Sequence, residues 1–223
     1  MVIPVEAMVN RRSTTLKNSP SGSPLNSKHS KHTNSAPKYQ QPMITLHPIR
    51  HTSDEHWFTF TAIYHESFPI DEQRPTEDIA RLIAEEERYR AMALVDDEGH
   101  CIGLLTTWKF DTYIYIEHFA IAPSQRSMGH GAKSLQHFMQ SQHKPIVLEA
   151  EPPTDDITQR RINFYKRCGL MLYDYEYIQP PYTPERTAVP LRLMGNITDP
   201  NLTEIAGTLH CEVYGIKGQV ITK

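Results

Sequence analysis

Cysteine is scarce in this chain: three in 223 residues, Cys101, Cys168 and Cys211, odd in number and widely spaced. They form neither a Cys-x-x-Cys pair nor the rhythm of a zinc site, so they are expected to be reduced thiols, mostly packed. Long apolar runs are missing as well. No stretch nears the roughly 20 apolar residues of a membrane-spanning helix, and the first residues lack the apolar segment of a secretory signal. A soluble, cytoplasmic protein without a membrane partner is expected. Excess positive charge is also absent, with 23 Lys and Arg against 26 Asp and Glu, so nucleic acid is not an expected partner. Twelve histidines are present, but His130, His137 and His143 make no ligand set with cysteines or carboxylates at familiar spacing, and no metal is expected.

Residues 1–42 are rich in Ser, Asn, Pro and Lys and poor in groups that could form a core, which reads as a disordered tail. Six cations (Arg11, Arg12, Lys17, Lys28, Lys31, Lys38) face the single acid Glu6, a net of about +5, and the remainder carries about −8. A single domain over 43–196 is expected next, then a C-terminal helical extension over 197–223.

Within the domain, Ile44, Leu46 and Ile49 suggest a first strand. A helix opened by Ser53 follows, with Trp57, Phe60, Tyr64 and Phe68 at helical spacing. Pro69 ends it, and Pro75-Thr76 starts a second helix with Ile79, Leu82 and Ile83 on one face. Strands near 90–95 and 101–110, joined by the turn Asp97-Glu98-Gly99, lead to a third over 113–121, an antiparallel meander. A helix from Gly129, a strand at Ile146-Val147-Leu148, a helix over 156–168 and strands near 170–178 and 189–194 complete the pattern. The fold class is therefore α/β, a mixed and mostly antiparallel sheet flanked by helices. A last helix is expected from Thr198 or Asp199, with Leu202, Ile205, Leu209 and Val213 on one face.

The strand Ile116–Ile121 runs into Pro123-Ser124-Gln125-Arg126-Ser127-Met128-Gly129-His130-Gly131-Ala132. Glycines in a turn that opens a helix suit a phosphate, because free N–H groups and the helix dipole favour an anion there. The turn lacks the Lys-Ser/Thr of a P-loop and the glycine order of a dinucleotide fingerprint. Arg126-x-x-Gly129-x-Gly131 resembles the acyl-CoA signature of the GCN5-related N-acetyltransferase (GNAT) family. Asn163-Phe164-Tyr165-Lys166-Arg167-Cys168-Gly169-Leu170 is similar to the ending of the helix after the fifth strand in that family. The resemblance covers about residues 44–194, and it implies a GNAT-like domain that uses acetyl-CoA as cosubstrate.

An amine with pKa about 10.4 is neutral in only about one molecule in 2,500 at pH 7, so a proton acceptor is useful. By resemblance Glu117 is that acceptor, with His118 a lesser candidate, and Tyr165 supplies a proton to the departing sulfur. In a regular strand Glu117 and His118 point to opposite faces. The resemblance also implies cofactor contacts from Phe119, Ala120 and Ile121 along the strand and from Gln125, Arg126, Ser127, Met128, Gly129, His130, Gly131 and Ala132 at the turn. Two positions depart from the family pattern: Thr158 stands where an Asn is common and Arg161 where a small residue is common. Arg160 and Arg161 read as a solvated face, with contact to the phosphates as the alternative, and the acidic group Glu149, Glu151, Asp155 and Asp156 also reads as solvated, though it could instead steer a cationic amine. Tyr175, Tyr177 and Tyr182, beside Pro180-Pro181, are candidates either to wall an acceptor pocket or to rigidify a strand connection. The expected acceptor is a small-molecule or peptide amine, and the assembly state is open, a homodimer included. The rival expectation is an inactive acyl-CoA-binding sensor or interaction module on the same fold.

Overall fold

The computed structural model describes residues 44–216. The expected disordered tail at 1–42 and the last part of the expected extension, 217–223, lie outside the described residues. One sheet contains β1 (Thr45–Ile49), β2 (Tyr89–Val95), β3 (Cys101–Lys109), β4 (Ile114–Ile121), β5 (Ile146–Ala150), β6 (Met171–Gln179) and β7 (Val189–Gly195). Their order is β1-β2-β3-β4-β5-β7-β6. Around it lie α1 (Trp57–Ser67), α2 (Thr76–Glu85), α3 (His130–Gln140), α4 (Asp156–Arg167) and α5 (Leu202–Thr208).

The first four strands form the expected meander. Gly99 makes its tight turn possible with φ +84, a left-handed conformation that costs glycine little. Parallel strands cannot be joined by a hairpin, so β4 reaches β5 through the α3 crossover. Every residue of β4 is buried, as befits the central strand of a sheet covered on both sides. Among the described residues no helix is long and apolar enough to cross a membrane.

Two helix starts differ from expectation. α1 begins at Trp57 rather than at Ser53, because Asp54 organises a turn first. Its carboxylate accepts the His56 N–H at 3.0 Å and meets His47 Nε2 at 3.2 Å. α5 begins at Leu202, since Asp199 has φ +53 and cannot be helical. Asn201 caps that helix, accepting from Glu204 N–H at 3.3 Å. It continues as a π-helical turn over Leu209–Val213, with Ile205, Leu209 and Val213 buried as expected. α4 carries a reciprocal N-terminal cap: Asp155 accepts from the Thr158 N–H at 2.7 Å, and Thr158 Oγ1 accepts from the Asp155 N–H at 3.1 Å.

β3 and β4 approach so closely at Gly103 that a Cβ there would stand 2.5 Å from the Ala120 carbonyl oxygen. Gly103→Ala must push the central strand aside, and a loss of about 1–3 kcal/mol is expected from overpacking. Denaturant unfolding measures it, and an unchanged midpoint contradicts the packing described.

Candidate active site

β4 and β5 pair only at Ile114–Ile116 with Ile146–Leu148. Beyond that point β4 stays bonded to β3 while β5 turns to β7. The two strands diverge as a fork, and from Glu117 onward the edge of β4 that faces β5 has no strand partner. On that edge the backbone groups of Phe119 and the Ile121 N–H are thereby available to an extended ligand, as at the edge of any sheet, while the Ile121 carbonyl accepts from Arg126. Glu117 and Glu149 are the first residues beyond the last pair on either arm.

Glu117 is also the extra residue of a β-bulge: Thr106 pairs with His118 and Thr107 with Ile116, leaving Glu117 without an opposite residue. The bulge corrects the expectation that Glu117 and His118 point apart. His118 Nδ1 lies 3.9 Å from Glu117 Oε2, and Tyr182 stacks on the His118 ring while its hydroxyl donates to Glu117 at 3.0 Å. Glu117 is buried and fully engaged. Oε1 accepts from Arg74 Nε and Nη2 at 3.1 and 2.7 Å, and Oε2 from Trp108 Nε1 at 2.9 Å. Burial opposes its ionisation, but the Arg74 charge and these donors outweigh burial and hold its pKa below the usual value. Arg74 also donates to the Val213 carbonyl at 2.9 Å and sits 4.6 Å from the Tyr182 ring centroid.

His118 is a weak base here. Burial lowers its pKa to about 4. Its Nε2 faces the Glu72 carbonyl at 3.1 Å, which can only accept, so Nε2 carries the proton and Nδ1 accepts from the Thr106 hydroxyl at 3.2 Å. Tyr165, on α4, is wholly buried, and its hydroxyl has no hydrogen-bond partner. Burial raises its pKa, so it stays protonated. A buried hydroxyl of this kind is free to donate to a ligand atom brought beside it.

The cofactor-binding candidates gather at the end of β4. Phe119, Ala120 and Ile121 are buried on the strand. Gln125 closes a 3₁₀ turn over Pro123–Gln125. Ser127 and Gly129 both have positive φ, +65 and +82, which turns successive peptide groups before α3 starts at His130. The exposed run Ser127-Met128-Gly129 and the first N–H groups of α3, from His130 to Ala132, form the open end of the turn. Gly131 packs near Ile121 and Phe164, where a Cβ would make ordinary contacts at 3.5 Å or more. Arg126 is folded back, donating to the Ile121 carbonyl at 2.9 Å and reaching Ser67 Oγ at 3.4 Å. It therefore ties the turn to β4.

Two solvated-face expectations are corrected. Arg161 is buried and ion-paired with Glu151, because α4 lays it against the exit of β5. Glu149 is buried as well, its Oε2 accepting from Tyr214 Oη at 2.8 Å. Burial raises its pKa. Tyr177 and Tyr182 join this group; Tyr175 is half-buried on the same strand. Asp155 is the α4 cap, and Asp156 opens that helix. Arg74 and Tyr214 were not indicated by the sequence, where nothing links them to residues 43 and 65 positions away. Among the described residues no group of three His, Cys, Asp or Glu side chains could hold a metal ion.

The model of the acetyltransferase (GNAT) family matches residues 52–170. A candidate GNAT-family acetyltransferase of Bacteroides thetaiotaomicron is 35% identical, with a TM-score of 0.73 over 78% of this chain and 99% of that one. YjbC, a candidate acetyltransferase of Bacillus subtilis (strain 168), is 31% identical over 105 residues, 46% of this chain and 51% of YjbC. This chain's match thus spans about half the length of that curated relative. A mutant spermidine N-acetyltransferase of Vibrio cholerae, 12% identical over 68% of this chain and 92% of that one with a TM-score of 0.51, is alike in fold alone.

The buried neutral His118 makes acid destabilising. From pH 6.5 down to about 4 the unfolded chain binds a proton that folded His118 refuses, so stability falls as pH falls through that window. Glu117 acts the same way lower down, its stabilisation being lost as pH falls below the ordinary carboxylate range. Denaturant unfolding between pH 4 and 7 is expected to show a flatter profile for His118→Gln than for the parent chain. Equal slopes contradict the assignment.

Proposed function

The chain belongs to the GNAT acetyltransferase family, and on that premise we propose that it transfers an acetyl group from acetyl-CoA to a primary amine of a small molecule or peptide by direct attack. The observation that supports this most is the fork, with unpaired β4 backbone on one side, the glycine turn at its end and the orphaned Tyr165 hydroxyl. In this reading the peptide groups of Phe119–Ile121 hold the pantetheine arm. N–H groups around Ser127–Ala132 hold the pyrophosphate, where helix dipole and backbone favour an anion. The cosubstrate supplies a thioester, whose carbonyl carbon is open to a nitrogen lone pair.

Tyr165 gives its proton to the departing sulfur. A phenol kept protonated by burial suits that role, because it is neutral and able to donate to the sulfur as negative charge builds there during C–S cleavage. The amine must shed a proton before it attacks, and a carboxylate at the fork accepts it. Glu117 and Glu149 both stand there. A binding-only sensor on the same fold would hold acetyl-CoA with the same backbone but show no rate.

Calorimetric titration with acetyl-CoA, CoA and ATP is expected to give binding of the first two and none of the third. Absence of acetyl-CoA binding contradicts the cosubstrate assignment. Tyr165→Phe is expected to lower kcat about 100-fold while acetyl-CoA affinity stays within a few-fold. Steady-state rates combined with calorimetry check this, and an undiminished kcat removes Tyr165 from the reaction.

A further inference from the structure

The two carboxylates at the fork differ in their partners. Glu117 has a full cation, Arg74, and its charge is cancelled inside the protein. Glu149 has tyrosines. Tyr214 donates to Oε2 at 2.8 Å and its hydroxyl meets Tyr115 Oη at 3.1 Å. The Tyr177 hydroxyl also interacts with this carboxylate, yet no donor of the described residues reaches Oε1 in good hydrogen-bond geometry although Glu149 is only 1% exposed. No Lys, Arg or His of the described residues forms an ion pair with Glu149.

A buried carboxylate with one oxygen poorly satisfied and no ion-pair partner among the described residues gains from either a proton or a positively charged guest. The groups facing it come from four elements: Tyr115 on β4, Tyr177 on β6, Tyr182 from the loop before β7, and Tyr214 after α5, with the neutralised Glu117–Arg74 pair beside them. Tyrosine faces and hydroxyls attract cations without neutralising the carboxylate. The ring of Tyr214 lies 5.1 Å from that of Tyr182, so the C-terminal segment closes one side of the group.

We infer that Glu149 is the catalytic residue that binds a cationic alkylammonium acceptor in this tyrosine-lined fork and takes its proton, with Glu117 a positioning residue held by Arg74. This rests on the acyl-CoA reading above. Glu149 removes one proton from the ammonium, and the freed lone pair forms the C–N bond at the thioester carbonyl carbon while the C–S bond breaks. Tyr165 protonates the sulfur and regains a proton from the new amide nitrogen. The proton on Glu149 leaves to solvent, so that ammonium and thioester become amide, thiol and one released proton. Two environments that push paired carboxylates apart in pKa are how one site separates such roles.

The test uses the full chain and its Glu149→Gln, Glu117→Gln and Tyr214→Phe variants, each first titrated with acetyl-CoA by calorimetry. Failure to bind acetyl-CoA overturns the acyl-CoA reading itself. The proteins that bind are assayed with propylamine, a cation at neutral pH, and with aniline, already neutral there. With propylamine the parent kcat/KM is expected to plateau once Glu149 is ionised, whereas Glu149→Gln must wait for free amine. The variant should lose about 100-fold at pH 7 and climb about tenfold per pH unit, while its loss with aniline stays below about tenfold. Tyr214→Phe removes a hydrogen bond from the carboxylate and should move the plateau to higher pH. Equal losses with both amines in Glu149→Gln overturn the proposal, as do a selective propylamine loss in Glu117→Gln or no propylamine turnover by a parent chain that binds acetyl-CoA.

Discussion

A parallel pairing that stops after three residue pairs is the constraint on which the rest of the structure depends. β4 and β5 share Ile114–Ile116 and Ile146–Leu148 and then part. Two features account for the divergence. The bulge at Glu117 bends β4 and increases its local twist, while β5 keeps its other edge paired to β7 through Ala150. A sheet edge in the middle of a buried core would ordinarily be costly, since unpaired peptide groups lose water without gaining a partner. In the proposed reading an extended ligand supplies those partners, which makes the fork a binding device. The same divergence brings the next residue on each arm, Glu117 and Glu149, to its mouth.

What keeps the bulged strand in place is the ion pair between Arg74 and Glu117. Both groups are nearly inaccessible, and Arg74 also reaches the Val213 carbonyl, 139 positions away. One guanidinium thus joins the segment before α2, the central strand and the C-terminal turn. A buried pair is a poor source of net stability, but breaking one leaves an uncompensated charge at a cost of about 3–5 kcal/mol. The pair therefore acts as a registry device: any rearrangement that separates those three segments exposes that penalty. It also explains the differing chemistry of the two carboxylates, since the cation that lowers the pKa of Glu117 is not shared with Glu149.

Much of this architecture was legible in the sequence. Period-two and helical patterns located the strands and helices, and the turn Arg126–Gly131 with the helix end at Tyr165 carried the family resemblance. The helix starts that differed did so because side chains redirected the backbone. Asp54 organised a turn where Ser53 had been read as a cap, and Asp199 took a left-handed conformation where a helix had been expected. The bulge was invisible because every residue of β4 is buried on one face or the other, so Ile-Tyr-Ile-Glu-His-Phe-Ala-Ile carries no break in its pattern. Arg161 read as solvated because local spacing cannot report that Glu151 lies against it. Arg74, Trp108, Tyr182 and Tyr214 meet at the fork only through the tertiary fold, and no local signal in the chain announces such a meeting.

The central claim is that the parted strands and the turn beyond them form one continuous site for a pantetheine arm and its pyrophosphate. Residue-resolved amide hydrogen exchange, with and without CoA, tests it most directly. The account expects slower exchange at both Phe119–Ile121 and the peptide groups of 127–132 when CoA is present, with the β1–β2 pairing unaffected. Protection confined to other segments, or none at the β4 edge under saturating CoA, would contradict it.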